Sequence, residues 1–313
     1  MEKLFSKKSA AASLSCALVV VLASLVRAAP PEYSDWSTPV NLGPTVNSPF
    51  SDQGPAVSKD GLSLYFGSNR TGGSGDFDIW VSQRPTIDSP WGQPVNLTMI
   101  NTAAIENVPA LSRDEHWLFF NSDRPGGFGS GDLWASFRFH THDDFDWQPP
   151  INLGPGVNSA FFDGGATYFE NDDVGIGLLY FGSNRPGGPG GIDIYVSAQL
   201  PDGSFGPASL VTELSSPQND QRPAVRFYGL ELFLFSDRVG TLGGNDLWVA
   251  TRETVADAWS APVNLGPTIN GTSGEAQGYL ASGRETLFFV SGRPGGVGSQ
   301  DLYMTTRTKI TGP

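Results

Sequence analysis

The sequence is poor in the residues on which most catalytic and nucleic-acid-binding chemistry depends. It has one cysteine, Cys16, and only three histidines, His116, His140 and His142. Lysine and arginine total 19 against 32 aspartate and glutamate, and charged residues make up only 16%. Because Cys16 lies in a segment that reads as a leader, the mature chain is expected to lack disulfides, cysteine-based metal sites and thiol nucleophiles. With all three histidines between positions 116 and 142, no Ser/His/Asp arrangement stands out. The shortage of basic residues argues against nucleic acid and anionic membranes as partners. No amphipathic helical stretch of useful length follows residue 28, which leaves an α-helical or α/β architecture without material.

The N-terminus accounts for the one long apolar run. Lys3, Lys7 and Lys8 form a basic region, Ala10 to Val26 is apolar with small residues, and Val26-Arg27-Ala28 offers a cleavage site. Residues 1–28 are therefore expected to be a cleaved secretory signal peptide rather than a membrane span, which places the mature protein in the periplasm or outside the cell without stable membrane insertion. Cys16 has no leucine three residues ahead, so a lipoprotein anchor is not expected. Without residues 1–28 the chain has 15 basic and 31 acidic residues, a net charge of −16. That balance permits cations, neutral polymers such as glycans, and basic proteins as ligands.

What is abundant points to one fold class. There are 39 glycines and 24 prolines, and 12% of residues are aromatic. Short alternating runs, LSLYFGS, DIWVSQ, WLFFNS, ELFLFS and TLFFVS, sit between clusters of Gly, Pro, Asn and Asp. This is the pattern of an all-β chain with many turns. The chain also repeats itself. SNRTGGSGDFDIW recurs as SDRPGGFGSGDLW, SNRPGGPGGIDIY, SDRVGTLGGNDLW and SGRPGGVGSQDLY. A second marker, W-x-x-P-V-N-L, occurs at Trp36, Trp91, Trp147 (as WQPPINL) and Trp259, with a weaker copy at Phe205, at spacings of 55, 56, 58 and 54 residues.

Each repeat offers four short strands, a to d, the unit of a β-propeller blade. Five a–b–c sets give five four-stranded antiparallel blades. The marker that supplies strand d is missing after the last c strand and present in surplus at Trp36–Leu42. The N-terminal strand is thus predicted to complete the last blade and close the ring, leaving no open seam. The expected organisation is a signal peptide over 1–28, a short linker over 29–35 and a single propeller domain over 36–313. A monomer is expected.

In every copy an arginine ending strand b is followed eight residues later by an aspartate opening strand c: Arg70/Asp78, Arg124/Asp132, Arg185/Asp193, Arg238/Asp246 and Arg293/Asp301. The glycine-rich stretch between them reads as the b–c hairpin, with the two residues facing each other as a structural ion pair. One acid also precedes strand a in each blade: Asp52, Glu106, Asp163, Asp220 and Glu275. It lies 18 residues before the arginine in four blades and 22 in the third. Each arginine should therefore sit between two carboxylates as a bracing network. The sharper alternative is a ring of acids at one channel mouth that attracts a hard cation such as Ca²⁺.

The pattern P-A-x-S-x-D-G-x-x-L-x-F-x-S-x-R…G-x-x-D-[IL]-[WY], carried by Pro55 to Trp80 and its four relatives, resembles the WD-like β-propeller repeat of TolB-type periplasmic proteins. The resemblance spans nearly all of residues 36–313. The chain departs from TolB in lacking an α/β domain before the first blade and in having five blades rather than six. The resemblance implies an extracytoplasmic propeller that serves as a binding platform.

Positions where the repeats differ are the natural places for function. After the acid the blades read Gln53-Gly54, Asn107-Val108, Gly164-Gly165, Gln221-Arg222 and Ala276-Gln277. Arg222 with Gln53, Asn107, Gln221 and Gln277 is expected to present an asymmetric polar mouth. Phe50, Phe161 and Phe162 in the d–a loops are candidates for sugar stacking or for plugs between blades, the plug being favoured for Phe162. The run Phe-His-Thr-His-Asp-Asp at 139–144 contains an H-x-H, which reads as a polar turn rather than a surface metal site. The expectation that follows is a non-catalytic binding or scaffold propeller that contacts a protein or polysaccharide on its d–a/b–c face without a cofactor. The alternative is a glycosidase-like enzyme using channel-mouth carboxylates. Against it, catalytic acids should be singular, whereas these repeat and each has an arginine that keeps it ionised.

Overall fold

The computed structural model describes residues 32–171, 175–225 and 228–311. The predicted signal peptide lies outside them. The described chain forms five four-stranded antiparallel sheets, with no helix among these residues. The inner strands are Asp52–Val57, Glu106–Leu111, Asp163–Asn171, Asp220–Val225 and Glu275–Leu280. The second strands are Ser63–Ser68, Trp117–Ser122, Ile176–Ser183, Glu231–Ser236 and Thr286–Ser291. Third strands run over Asp78–Gln83, Asp132–Phe137, Asp193–Ala198, Asp246–Thr251 and Asp301–Thr306. Outer strands are two-residue pairings at Val95–Asn96, Ile151–Asn152, Ser209–Leu210 and Val263–Asn264. The fifth blade takes its outer strand from Val40–Asn41, which pairs with Met304 and Tyr303. The closure expected from the marker count is the one observed.

Upstream of that strand the expected linker is already structured. Glu32–Tyr33 forms a small antiparallel ribbon with Lys309–Thr311. The two termini therefore hold each other as well as the last blade.

Alternating side chains explain the core. Successive residues of a strand face opposite sides of the sheet. In the first blade Leu64 and Phe66 pack toward the fifth, while Tyr65 packs toward the second. Five buried clusters result, one at each junction between consecutive blades. The backbone joins the blades too. The amides of Asp52, Glu106, Asp163, Asp220 and Glu275 donate to carbonyls of Gln300, Phe77, Gly131, Ile192 and Asn245, each at the start of the preceding blade's third strand.

The glycine-rich hairpins answer to this same junction. A Cβ at Gly75, Gly129, Gly190 or Gly298 would lie 1.9 Å from the carbonyl oxygen of Ala104, Phe161, Gln218 or Phe50. The next blade's d–a loop thus rests on bare backbone, and only glycine leaves room for it.

Candidate functional site

The five repeated acids are fully buried, at 0% exposure. Asp52 accepts from Arg70 Nη2 at 2.6 Å and from the Ser48 amide at 2.5 Å. Glu106 and Glu275 accept from Arg124 and Arg293, each at 3.0 Å, and Asp163 accepts from Arg185 at 2.5 Å. Asp220 pairs with Arg238 in the same way. Each arginine also donates through Nε to the serine that ends its second strand, for example Arg124 to Ser122 at 3.0 Å. Each lies over aromatic rings of its own blade, as Arg124 does over Phe120 and Trp134 at 5.1 Å. The carboxylates are sealed within their blades and do not ring an open channel mouth.

The aspartates that open the third strands do something other than pair with these arginines. Asp78 accepts from the amides of Ser74 (2.5 Å) and Gly75 (3.0 Å) and from Asn96 Nδ2 (2.8 Å). Asp132, Asp246 and Asp301 repeat this with their own hairpin amides and with Asn152, Asn264 and Asn41. The expected two-acid bracing of each arginine is thus replaced by two separate devices. Residues eight apart across a hairpin face each other in sequence, but the hairpin curls its own amides over the aspartate first. Asp193 stands apart. Its blade has Leu210 in place of the outer-strand asparagine, and among the described residues its carboxylate accepts only from the Gly190 amide, at 3.2 Å. Burial pushes its pKa up.

The variable positions converge on the axis. The third residue of each inner strand, Gly54, Val108, Gly165, Arg222 and Gln277, has φ between +46° and +65° and marks a bulge in the register. Arg222 is only 5% exposed. Its Nη2 donates to Pro55 O at 2.8 Å and its Nη1 to Gln277 O at 3.1 Å. Blades 4 and 1 are not neighbours, so the guanidinium spans the axis and closes it. Burial lowers its pKa to about 9. Gln277 Oε1 accepts from the Gly54 amide at 2.6 Å, and Gln53 links Gln300 Oε1 (2.5 Å) to Asn107 Nδ2 (3.2 Å). Gln221 is half-buried beside this neck. These residues come together as a plug rather than as the open polar mouth expected, because the bulges turn their side chains across a narrow axis. A cavity of about 20 Å³ remains beyond it, lined by Leu111, Thr167, Phe169, Val225 and Tyr279. That is room for about one water.

Phe162 wedges between blades, with ring atoms where Cβ atoms of Gly131 and Gly164 would fall, whereas Phe50 and Phe161 are 40% and 41% exposed. His140 Nδ1 lies 2.8 Å from Asp146 Oδ2, and among the described residues no group of three His, Cys, Asp or Glu is arranged to hold a metal.

A sizeable cleft opens on the opposite face, among the a–b turns and c–d loops of blades 1 and 2. It encloses about 460 Å³ between Asp60, Gln83, Arg84, Glu115, His142 and Asp144. Asp144 is buried and accepts from Arg138 Nη1 (2.8 Å), Gln83 Nε2 (2.7 Å), the Ser63 hydroxyl and the Tyr65 phenol. Burial and the Asp144 charge push the phenol well above its ordinary pKa, so it remains a donor. Glu115 is half-buried and sits at φ +63°, a turn position filled by glycine in blades 1 and 4 (Gly61, Gly229). Burial raises its pKa above the usual carboxylate value, against the opposing effects of the Lys59 amide, 2.5 Å away, and of Arg138. Glu115 has no acidic counterpart at this turn position in blades 1, 4 and 5, and Asp144 is buried whereas Asp88 and Asp257 of the matching c–d loops are exposed.

Sequence reasoning singled out the 139–144 run that supplies His142 and Asp144 but read it as a polar turn, and it missed Glu115 and the second arginine device that builds the site. An arginine after the third strand stacks on the marker tryptophan: Arg84 on Trp91 (4.2 Å), Arg138 on Trp147 (4.6 Å), Arg252 on Trp259 (4.1 Å) and Arg307 on Trp36 (4.6 Å). Its Nε donates to a carbonyl of the a–b turn, as Arg138 does to Glu115 O at 2.8 Å. The signal was present. The arginine precedes the tryptophan by seven residues in blades 1 and 4 and by nine in blade 2, and that longer loop carries Asp144.

No family model matches the sequence, and no curated protein matches it. Solved structures do. The catalytic domain of a Coprinopsis cinerea GH62 α-L-arabinofuranosidase aligns over 89% of this chain and 98% of its own, with 14% identity and a TM-score of 0.61. An α-L-arabinofuranosidase from Lactobacillus brevis covers 87% and 95%, at 14% identity and TM-score 0.60. A Podospora anserina α-L-arabinofuranosidase covers 89% and 98%, at 11% and 0.59. These matches overturn the resemblance to TolB-type WD-like repeats: the local strand-and-turn pattern is shared by many propellers, whereas the solved structures that align over nearly the whole chain are glycoside hydrolases. They also turn the functional expectation away from a non-catalytic scaffold. At such identity the likeness establishes the fold, a five-bladed propeller.

Proposed function

We propose that the protein is an extracytoplasmic carbohydrate-active propeller that hydrolyses neutral glycosides, α-L-arabinofuranosides first among them, in the cleft between blades 1 and 2. The observation that carries this reading is the meeting in one cleft of a half-buried Glu115, its pKa raised by burial, and a buried Asp144 held by four donors, two carboxylates in environments suited to different roles. The likeness to arabinofuranosidases supports the substrate class.

Glu115, its pKa raised by burial, is the general acid. Its proton passes to the departing glycosidic oxygen as the C–O bond breaks. Asp144 is a fixed carboxylate held by four donors. Its charge stabilises positive charge at the anomeric carbon, and the water whose oxygen bonds to that carbon gives its proton to the carboxylate that Glu115 has become. Tyr65, Ser63, Gln83 and Arg138 hold it in place, so no reorganisation accompanies the step.

The test is turnover of an aryl α-L-arabinofuranoside. Glu115→Gln is expected to lower kcat by about 10²–10⁴-fold, with circular dichroism and melting unchanged. Wild-type turnover that Glu115→Gln leaves intact would sink the assignment, as would wild-type inactivity on arabinosides, xylosides and galactosides alike.

A further inference from the structure

We infer that the rim of blade 2 beside the cleft is a binding ledge for a neutral polysaccharide chain, with Phe139 as its exposed stacking platform. The inference rests on the carbohydrate reading above and extends it from a single glycoside to a polymer. Phe139 is 64% exposed. Its ring meets Phe137 edge-on at 5.1 Å, and Phe137 in turn stacks on His116 at 5.5 Å and meets Trp117 edge-on at 5.1 Å. The platform is fixed from below. Asp146 Oδ2 accepts the amides of Phe139 (3.1 Å) and His140 (3.0 Å) and lies 2.8 Å from His140 Nδ1. An exposed ring held in this way loses little freedom when a ligand covers it.

Ledge and cleft are built from the same two segments. Residues 115–117 carry Glu115 on the cleft side and His116 and Trp117 on the ledge side, and the long c–d loop carries Phe139 as well as His142 and Asp144. Arg138 ties them together, with Nε on Glu115 O at 2.8 Å and its carbonyl 2.9 Å from His116 Nδ1. A chain longer than the cleft therefore has this platform within reach. The chemistry selects the occupant. Asp146 holds the Phe139 amide, Asp114 and Asp143 lie on the same two segments, and residues 29–313 carry −16, so polyanions are repelled. The two exposed phenyl rings of this loop, Phe139 and Phe145, are together too small for the apolar centre of a stable protein interface. The Phe139 ring matches the apolar face of one uncharged sugar ring, as an aromatic anchor does in a ligand site.

Electrophoresis through gels containing soluble arabinoxylan, or polygalacturonate for comparison, tests this without any need for turnover. The wild type should be retarded by arabinoxylan and not by polygalacturonate. Phe139→Ala should weaken retardation about tenfold, as loss of an aromatic anchor does. Phe139→Tyr should preserve it, and Val239→Ser, at an exposed apolar residue on a hairpin of blade 4, should leave it unchanged. Equal retardation of the wild type and Phe139→Ala, no retardation by arabinoxylan, or equal retardation by polygalacturonate would each overturn the ledge. A protein that binds arabinoxylan through Phe139 yet hydrolyses nothing would uphold the ledge and sink the hydrolase; turnover without Phe139-dependent retardation would do the reverse.

Discussion

At the scale of single residues, burial without an alternative partner decides what a charge is worth. Arg124 supplies the only cation within reach of the fully buried Glu106 among the described ion pairs, while Thr102 and Ser122 supply neutral donors. Arg124→Ala is therefore expected to cost about 3 kcal/mol in chemical denaturation, the scale of an uncompensated buried charge. A loss within about 0.5 kcal/mol, the range of surface substitutions, would mean the clasp is idle. Asp193 behaves in the opposite sense to an ordinary paired aspartate. Its folded pKa is raised, so the folded state binds its proton more tightly than the unfolded chain does. Its contribution to stability is full below the unfolded pKa and is lost as pH rises through the raised value. Asp193→Asn should consequently destabilise less at pH 7 than Asp132→Asn, which deprives three donors of their carboxylate acceptor. Thermal melts of the two variants against the wild type measure the difference.

At the scale of elements, loop length rather than strand sequence places the chemistry. Blade 2 uses the same third strand, arginine and tryptophan as its neighbours, and its loop of two extra residues swings Asp144 onto Ser63 and Tyr65 of blade 1. The adjacent turn accepts Glu115 at a left-handed φ that favours glycine, a strain on the order of 1 kcal/mol. Function of this kind predicts a pH profile. In the proposed role Glu115 acts in its protonated form and its pKa is raised by burial, so kcat should fall as pH rises through that value, and Lys59→Pro, which removes the amide that favours the ionised form, should move the fall to higher pH. An alkaline limb that does not respond would assign the limb to another group.

At the scale of the whole molecule, the ring is only as stable as its closure. Val40–Asn41 completes blade 5, Trp36 takes the stacking place on Arg307, and Arg307 also pairs with Glu231 of blade 4 at 2.9–3.0 Å. Removing residues 29–41 would expose the edge of Asp301–Thr306 and the core beneath it, a template for intermolecular pairing. Such a truncation should be oligomeric by light scattering and melt at least 10 °C lower, since the loss of several kcal/mol moves a domain of this size by 2–4 °C per kcal/mol. A circular permutant opened between blades, with the natural termini joined, should keep the wild-type melt. Joining the termini preserves the closing strand, whereas truncation destroys it.

The sequence by itself determined the five blades, their four strands and the seam at which the N-terminus closes the ring. These follow from local periodicity and from counting a repeat, and every copy votes for the same answer. It also marked Arg70 and its four equivalents as braces, because one arginine per blade at fixed spacing from an acid has little else to do. Tertiary structure decided which acid each brace takes, since hairpin amides and an outer-strand asparagine claim Asp78 and its equivalents before the arginine can. It also decided that Arg222 crosses the axis and that Asp144 and Glu115, from different loops, share a cleft with residues of blade 1. Those contacts join residues 55 to 167 positions apart through side-chain direction and close backbone approach, which no spacing along the chain encodes.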